Sequence, residues 1–257
     1  MPSVDLNCDM GESWGAYTMG DDAAMLRIVT SANVACGFHG GDPLVMHKTL
    51  SMAKANGVNV GAHPSYLDSW GFGRRRLVGE DPADIEKMLV YQIGAICQMA
   101  TYVGHRVAHV KPHGTLGNAA QEDDALAAMI AATVKAIDPR LILMVMPGGS
   151  LERAGEKAGL RIAREVFADR AYDDRGMLVS RKLPGAVIHD AALAARNVLR
   201  MVEERAVISV SGKRVPVAVD TICVHGDNPA AVAMASEVRR TLETSGVQVV
   251  PLDRIMT

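Results

Sequence analysis

Ser31-Ala32-Asn33-Val34-Ala35-Cys36-Gly37-Phe38-His39-Gly40-Gly41-Asp42-Pro43 reads as one complete strand-to-helix transition. An apolar run over 31–36 has strand length and ends in a glycine-rich turn. Asp42 is a candidate N-cap, and Pro43 suits the first helical position, where its missing N–H wastes no bond. Gly57 follows the end of that helix and accepts the left-handed turn beyond it. The same grammar recurs with Asp81-Pro82 and Gly104, framing a helix over 82–103, and with Asn228-Pro229 and Gly246, framing one over 229–245. Further helices are expected at 21–30, 122–137, 149–158 and 187–204.

Seven main strands are expected between these helices, at 4–8, 31–36, 58–62, 107–111, 141–146, 162–167 and 220–224, with a short one at 247–250. Repeated alternation of this kind builds βαβ units and a mostly parallel sheet. Residues 207–219 break the rhythm: they alternate with period two around Ser211-Gly212-Lys213 and read as an added β-hairpin, with Pro216 on an edge.

The 257 residues suit one domain spanning 1–257, since an α/β barrel takes roughly 250 residues. Apolar residues make up 49% and aromatics only 4%, so aliphatic side chains must fill the core. A net charge of -2 implies no basic surface and argues against a nucleic-acid binder. The first residues do not read as a signal peptide, and no apolar run approaches the ~20 residues that cross a bilayer. Four cysteines without CxxC spacing fit free thiols in a cytoplasmic protein.

Polar groups gather where the strands stop. His39, His63, His113 and His225 each follow an apolar run, beside a glycine or proline. In parallel strands such residues share one face of the sheet, where α/β enzymes build their sites. Asp5, Asn7 and Asp9 alternate along the first strand and so share a side. They line a cavity or, in the bland alternative, an exposed edge. His109 and His113 resemble a metal-binding HxxxH, but Pro112 and the flanks indicate a strand. Four strand residues separate the two by roughly 13 Å, too far for one metal ion. His113 is then the site residue and His109 a core histidine. Lys111 points with His113 and needs a carboxylate, for which Asp9 and Asp169 are candidates, unless it snorkels to the rim. Glu165, Phe167 and Asp169 share a face of the sixth main strand. Of the adjacent Arg74, Arg75 and Arg76, at most one is expected to face the site. Cys8 and Cys223 have no activating base beside them in sequence and read as core thiols.

These residues, His109 and Arg76 aside, fall within eight ordered segments: DLNCDMGESWGAY (5–17), TSANVACGFHGGDP (30–43), GVNVGAHPSY (57–66), WGFGRR (70–75), VKPHGTL (110–116), MPGGS (146–150), EVFADRAYDDRGMLVSRKLPGAVI (165–188) and CVHGDNPAAV (223–232). Together they resemble the LamB/YcsF family, which is identified with the A component of ATP-hydrolysing 5-oxoprolinase. The chain departs from the family pattern at Ser13 and Ser65, where glycine is common, at Leu67, where proline is, and at Gly117, where tyrosine is.

The resemblance implies an irregular TIM-like (β/α) barrel of the glycoside hydrolase/deacetylase type. It also implies ATP-dependent opening of 5-oxo-L-proline to L-glutamate, with two further subunits, B and C. On that chemistry, Asp9 or Asp5 is expected to act as general base and Asn7 to orient a water or a carboxylate. Lys111, His39 and His113 are expected to stabilise developing negative charge. His63 and Asp169 complete the expected catalytic set. Arg74 or Arg170 is expected to hold the substrate carboxylate, with Glu12, Gly40 and His225 also lining the substrate. No GxxxxGK[ST] loop is present, so ATP is expected on a partner protein, or else with its phosphates on the glycine-rich loop tips of this chain. Two rivals stand beside this reading: a metal-dependent hydrolase or deacetylase with Asp9, His39 and His63 on a divalent ion, and a non-catalytic component that only binds the lactam.

Overall fold

A computed structural model describes residues 2–75, 77 and 79–256. Seven parallel strands close into a barrel: β1 (Ser3–Met10), β2 (Ser31–Ala35), β3 (Asn59–His63), β4 (Val107–Val110), β5 (Ile142–Val145), β6 (Arg161–Phe167) and β9 (Thr221–Val224). Closure comes from β9 lying between β6 and β1, with Asp5 opposite Thr221 and Asn7 opposite Cys223. All seven expected strands are present within two residues at each end. The hairpin also forms, as β7 (Ala206–Ile208) against β8 (Arg214–Pro216), outside the barrel. β10 (Gln248–Val249) adds in parallel to the start of β1.

The helices pack outside this barrel. α2 (Pro43–Ala55), α3 (Pro82–Tyr102) and α8 (Pro229–Thr244) begin as their caps require: Asp42, Asp81 and Asn228 accept backbone amides through their side chains. α6 (Ser150–Ala158) and α7 (Ala191–Glu204) also form, the latter starting four residues late because Asp190 caps it. One expectation needs correction. The helix expected at 21–30 is only the short α1 (Asp22–Met25), because the chain must return to the sheet where the Thr30 amide donates to Leu6. The helix expected at 122–137 forms as α5 (Asp124–Ile137), and a helix that was not expected, α4 (Gly114–Glu122), precedes it. Asp123 divides them: its backbone is extended, and its side chain caps the amides of Ala125 and Leu126. A terminal turn, α9 (Leu252–Ile255), completes the chain.

Alternation along each strand sorts the core. Val4, Leu6, Cys8 and Met10 of β1 join the apolar layer against the helices, while Asp5, Asn7 and Asp9 face the barrel axis. Ile142, Met144 and Ala163 form a separate apolar cluster with Leu252 of α9. No described helix is long and apolar enough to cross a membrane.

Candidate active site

The polar interior is layered along the barrel axis. In the deepest layer Asp5, fully buried, accepts hydrogen bonds from the hydroxyls of Thr30, Ser31 and Thr221. Burial pushes its carboxyl up to about 6, against the lowering effect of those three donors. Asp5 lines neither cavity of the barrel mouth. The expectation that it could serve as general base is corrected by this placement: its two oxygens are committed to hydroxyls below the site.

Above it lies an amide layer. His109 Nε2 sits 2.7 Å from Asn33 Oδ1, and the Asn33 amide donates to Asn7 Oδ1 at 2.7 Å and to Asp9 Oδ1 at 2.8 Å. Asn7 in turn donates to Thr221. Asn33 thus spends both N–H groups and fixes the Asp9 carboxylate. Burial first, then Lys111, drops His109 to about 3, so it stays neutral and donates. His109 is a core histidine, as its distance from His113 along the strand implied. Asn33 was not singled out in the sequence; its signal was a polar residue alternating with Ser31 inside an otherwise apolar strand.

Lys111 occupies the top of this stack. Its Nζ lies 2.9 Å from Asp9 Oδ1 and 2.7 Å from Glu165 Oε1, with Asn7 Oδ1 and Cys223 Sγ each at 3.5 Å. Burial opposes its charge, but Asp9, then Cys223 and Glu165, outweigh burial and raise its pKa well above the ordinary lysine value. Asp9 is shifted the other way: burial works to raise it, and His63 and Lys111 together carry it well below the usual carboxylate range. Asp169 is not the second partner of Lys111. It pairs with His225 at 2.9 Å, which offsets the cost of burying both and raises His225. Glu165, known from sequence only as a residue on the same face, takes the place expected for Asp169.

A histidine group forms the opposite wall. The His39 and His113 rings stack with centroids 3.7 Å apart, and His63 meets both edge-on. Glu12 follows the turn at Gly11, whose φ of 67° lets β1 curl over the mouth. Its Oε1 lies 3.2 Å from His39 Nε2 and 3.8 Å from His113 Nδ1. Burial and then the neighbouring Asp9 charge push Glu12 up to about 7. Burial keeps His39 and His113 well below the ordinary histidine value. Phe72 caps the group from a backbone φ of 55°, a conformation uncommon for a bulky side chain, and its carbonyl meets His113 Nε2 at 2.9 Å.

One ligand atom each from Glu12, His39, His63 and His113 lies within 4.8 Å of the others. The compact set is therefore not the expected Asp9, His39 and His63. Asp9 touches only His63 of that group, at 3.2 Å.

Two cavities of about 640 and 620 Å³ open at this rim. Asp9, Arg74, Arg181 and His225 line both, so they are two lobes of one cleft meeting over Asp9. Lys111, His63, His113 and Glu165 line the second lobe, while Glu12 and Asp169 line the first. Of the arginine run, Arg74 faces the cleft, over the Phe72 ring, and Arg75 is held away by Asp68. Arg76 lies outside the described residues. Arg170 reaches the second lobe, but its guanidinium is tied to the carbonyls of Val179 and Ala186. It braces the loop after β6, and Arg181, which no strand-end pattern could reveal, takes the freer position. Gly40 is corrected as a substrate contact: it lines neither lobe, and a Cβ there would crowd the Glu12 backbone. Cys8 and Cys223 are buried thiols whose pKa burial raises far above the ordinary value.

A protein named as the A component of 5-oxoprolinase, from Rhodopseudomonas palustris (strain BisB5), is 56% identical over 251 residues, covering 98% of this chain and 99% of that one. One of the same name from Gluconobacter oxydans (strain 621H) is 53% identical, covering 96% and 97%. Among solved structures, the lactam utilization protein from Thermus thermophilus is 46% identical with a TM-score of 0.92, over 96% of this chain and 99% of that one. A T48 deacetylase, 16% identical with a TM-score of 0.51 over 99% and 90%, shares the barrel alone. The LamB/YcsF family model matches residues 4–257, and the chain belongs to that family.

Proposed function

We propose that this chain is the lactam-opening component of a 5-oxoprolinase, converting 5-oxo-L-proline to L-glutamate with ATP and two further subunits, B and C, in the cytoplasm. The names carried by its relatives support the substrate. One observation supports a catalytic role over simple binding: a buried ammonium, Lys111, clamped between Asp9 and Glu165 where the two lobes meet. Such a charge has a fixed position and little water around it, which is the condition for strong electrostatic stabilisation.

A five-membered lactam is an unstrained amide and resists attack. In the proposed sequence the lactam oxygen takes the γ-phosphoryl group of ATP, releasing ADP. Water then adds to the activated carbon and the C–N bond breaks. The ring nitrogen takes a proton, and the resulting acyl phosphate is hydrolysed to carboxylate and phosphate. Lys111 sits against the oxygen as charge builds there. Asp9, held by Asn33 and Lys111, directs the incoming water. Arg74 and Arg181, shared by both lobes, hold the substrate carboxylate. The nucleotide itself is assigned to a partner protein, because the chain carries no Walker A loop.

Glutamate release from 5-oxoproline, measured for the chain alone and with subunits B and C, with and without ATP, tests this reading. It requires turnover only when the chain, its partners and ATP are all present. Full ATP-dependent turnover by the partners without this chain would refute it.

A further inference from the structure

The hydrogen bonds of the histidine wall fix which nitrogens carry protons. His63 Nδ1 lies 2.6 Å from the Lys111 carbonyl oxygen, which can only accept. The proton is therefore on Nδ1, and Nε2 offers a lone pair in the neutral ring. His113 Nε2 lies 2.9 Å from the Phe72 carbonyl, so its Nδ1 offers the lone pair. These two lone pairs face each other at 3.0 Å. Glu12 Oε1 faces the same point, 3.8 Å from His113 Nδ1, while His39, stacked in parallel on His113, aims no lone pair there and instead sets its Nε2 3.2 Å from Glu12 Oε1 as a hydrogen-bond partner.

Acceptors converging on one buried point repel one another unless a cation stands between them. A single proton on His63 Nε2 serves only one of its two neighbours, His113 Nδ1 or Asp9 Oδ2. A metal ion serves His63 Nε2, His113 Nδ1 and Glu12 Oε1 at once. The outer nitrogens of His63 and His113 donate to backbone carbonyls, the arrangement that fixes the tautomer of metal-binding histidines. Ligand atoms about 2.0–2.2 Å from a tetrahedral zinc lie roughly 3.3 Å apart, and the 3.0 Å between His63 and His113 and the 3.8 Å between His113 and Glu12 bracket that spacing. Two imidazoles and one carboxylate, with a fourth position open, suit a borderline transition ion and not magnesium or calcium, which take oxygen ligands.

We propose that Glu12, His63 and His113 bind one divalent first-row transition ion, zinc for preference, in the wall of the cleft beside Asp9, with His39 steadying the Glu12 carboxylate. An ion there would polarise a carbonyl or a bound water. Lys111, already paired with Asp9 and Glu165, stays outside the ligand set. The site rests on geometry and holds whatever the substrate of the cleft.

The test uses the isolated full chain, stripped by chelator and titrated with Zn²⁺ by calorimetry and with Co²⁺ by visible absorption. One ion per chain and ligand-field bands of nitrogen-coordinated cobalt are expected. Glu12→Gln and His113→Ala should each weaken binding tenfold or more, whereas His47→Ala, on α2 and outside the group, should not change it. Glu12→Gln spares the buried histidine packing and remains decisive if His113→Ala does not fold. No stoichiometric binding by the wild-type chain, or unchanged binding by Glu12→Gln, overturns the site. Neither ATP, lactam nor partner enters the measurement, so its failure leaves the 5-oxoprolinase reading standing, and the converse holds.

Discussion

Lys111 and Asp5 are both buried charges in one barrel, yet their neighbours give them opposite consequences. Removing the Lys111 ammonium leaves Asp9 and Glu165 facing each other without a cation. Lys111→Met should therefore lower turnover at least about 100-fold and destabilise the fold by about 3 kcal/mol, read by urea denaturation. Adding Glu165→Gln to that variant should restore part of the stability and none of the activity. Equal recovery of both would mean that Lys111 is only structural. Asp5 has hydroxyl partners but no adjacent cation, and its pKa lies at about 6 instead of 3.8. A raised carboxyl binds its proton more tightly in the folded state, so its contribution is most favourable below about pH 4 and is lost as pH rises through 6. The full cost above that range is roughly 3 kcal/mol. Asp5→Asn should flatten the fall in stability between pH 4 and 6, measured by denaturation at both ends. An unchanged pH profile would show that Asp5 does not carry it.

Individual elements were largely legible because their ends are written in short chemistry. Asn228 caps α8 through Ala231, and Asn228→Ala should cost about 1 kcal/mol, lowering Tm by about 2–4 °C. Strands could be placed because their runs are apolar and end in Gly, Pro or Asp. The contacts between them could not. Gly61 in β3 is one such case: it leaves room for the His109 ring of β4, which a Cβ there would overlap. Gly61→Ala should push that ring off Asn33 and destabilise the protein by about 1–3 kcal/mol. It should also weaken activity, since Asn33 holds Asp9. Activity intact in a destabilised Gly61→Ala protein would break the proposed line from His109 to Asp9. The short α4 was not legible, since it holds Gly114 and Gly117 and its cap residue, His113, makes no side-chain hydrogen bond to the first turn.

At the scale of the whole molecule, the strand-end rule located the cleft because parallel closure brings every carboxyl end to one rim. It could not assign partners across the barrel. Lys111 pairs with Glu165, from β6, and Asp169 pairs with His225, after β9. Glu12 joins the histidines only because Gly11 turns the chain inward. Those pairings depend on barrel radius and stagger, which no single segment encodes. Arg181 escaped notice for a related reason: it reaches the cleft from the long connection after β6, away from any strand end. The central claim is that the Asp9–Lys111 pair at the junction of the two lobes carries out the lactam chemistry. Its most direct measurement is ATP-dependent glutamate formation by the complex reconstituted with Asp9→Asn, after circular dichroism has shown that the variant folds. Loss of at least about 99% of turnover is the predicted result; near-normal turnover by the folded variant would contradict that role for the pair.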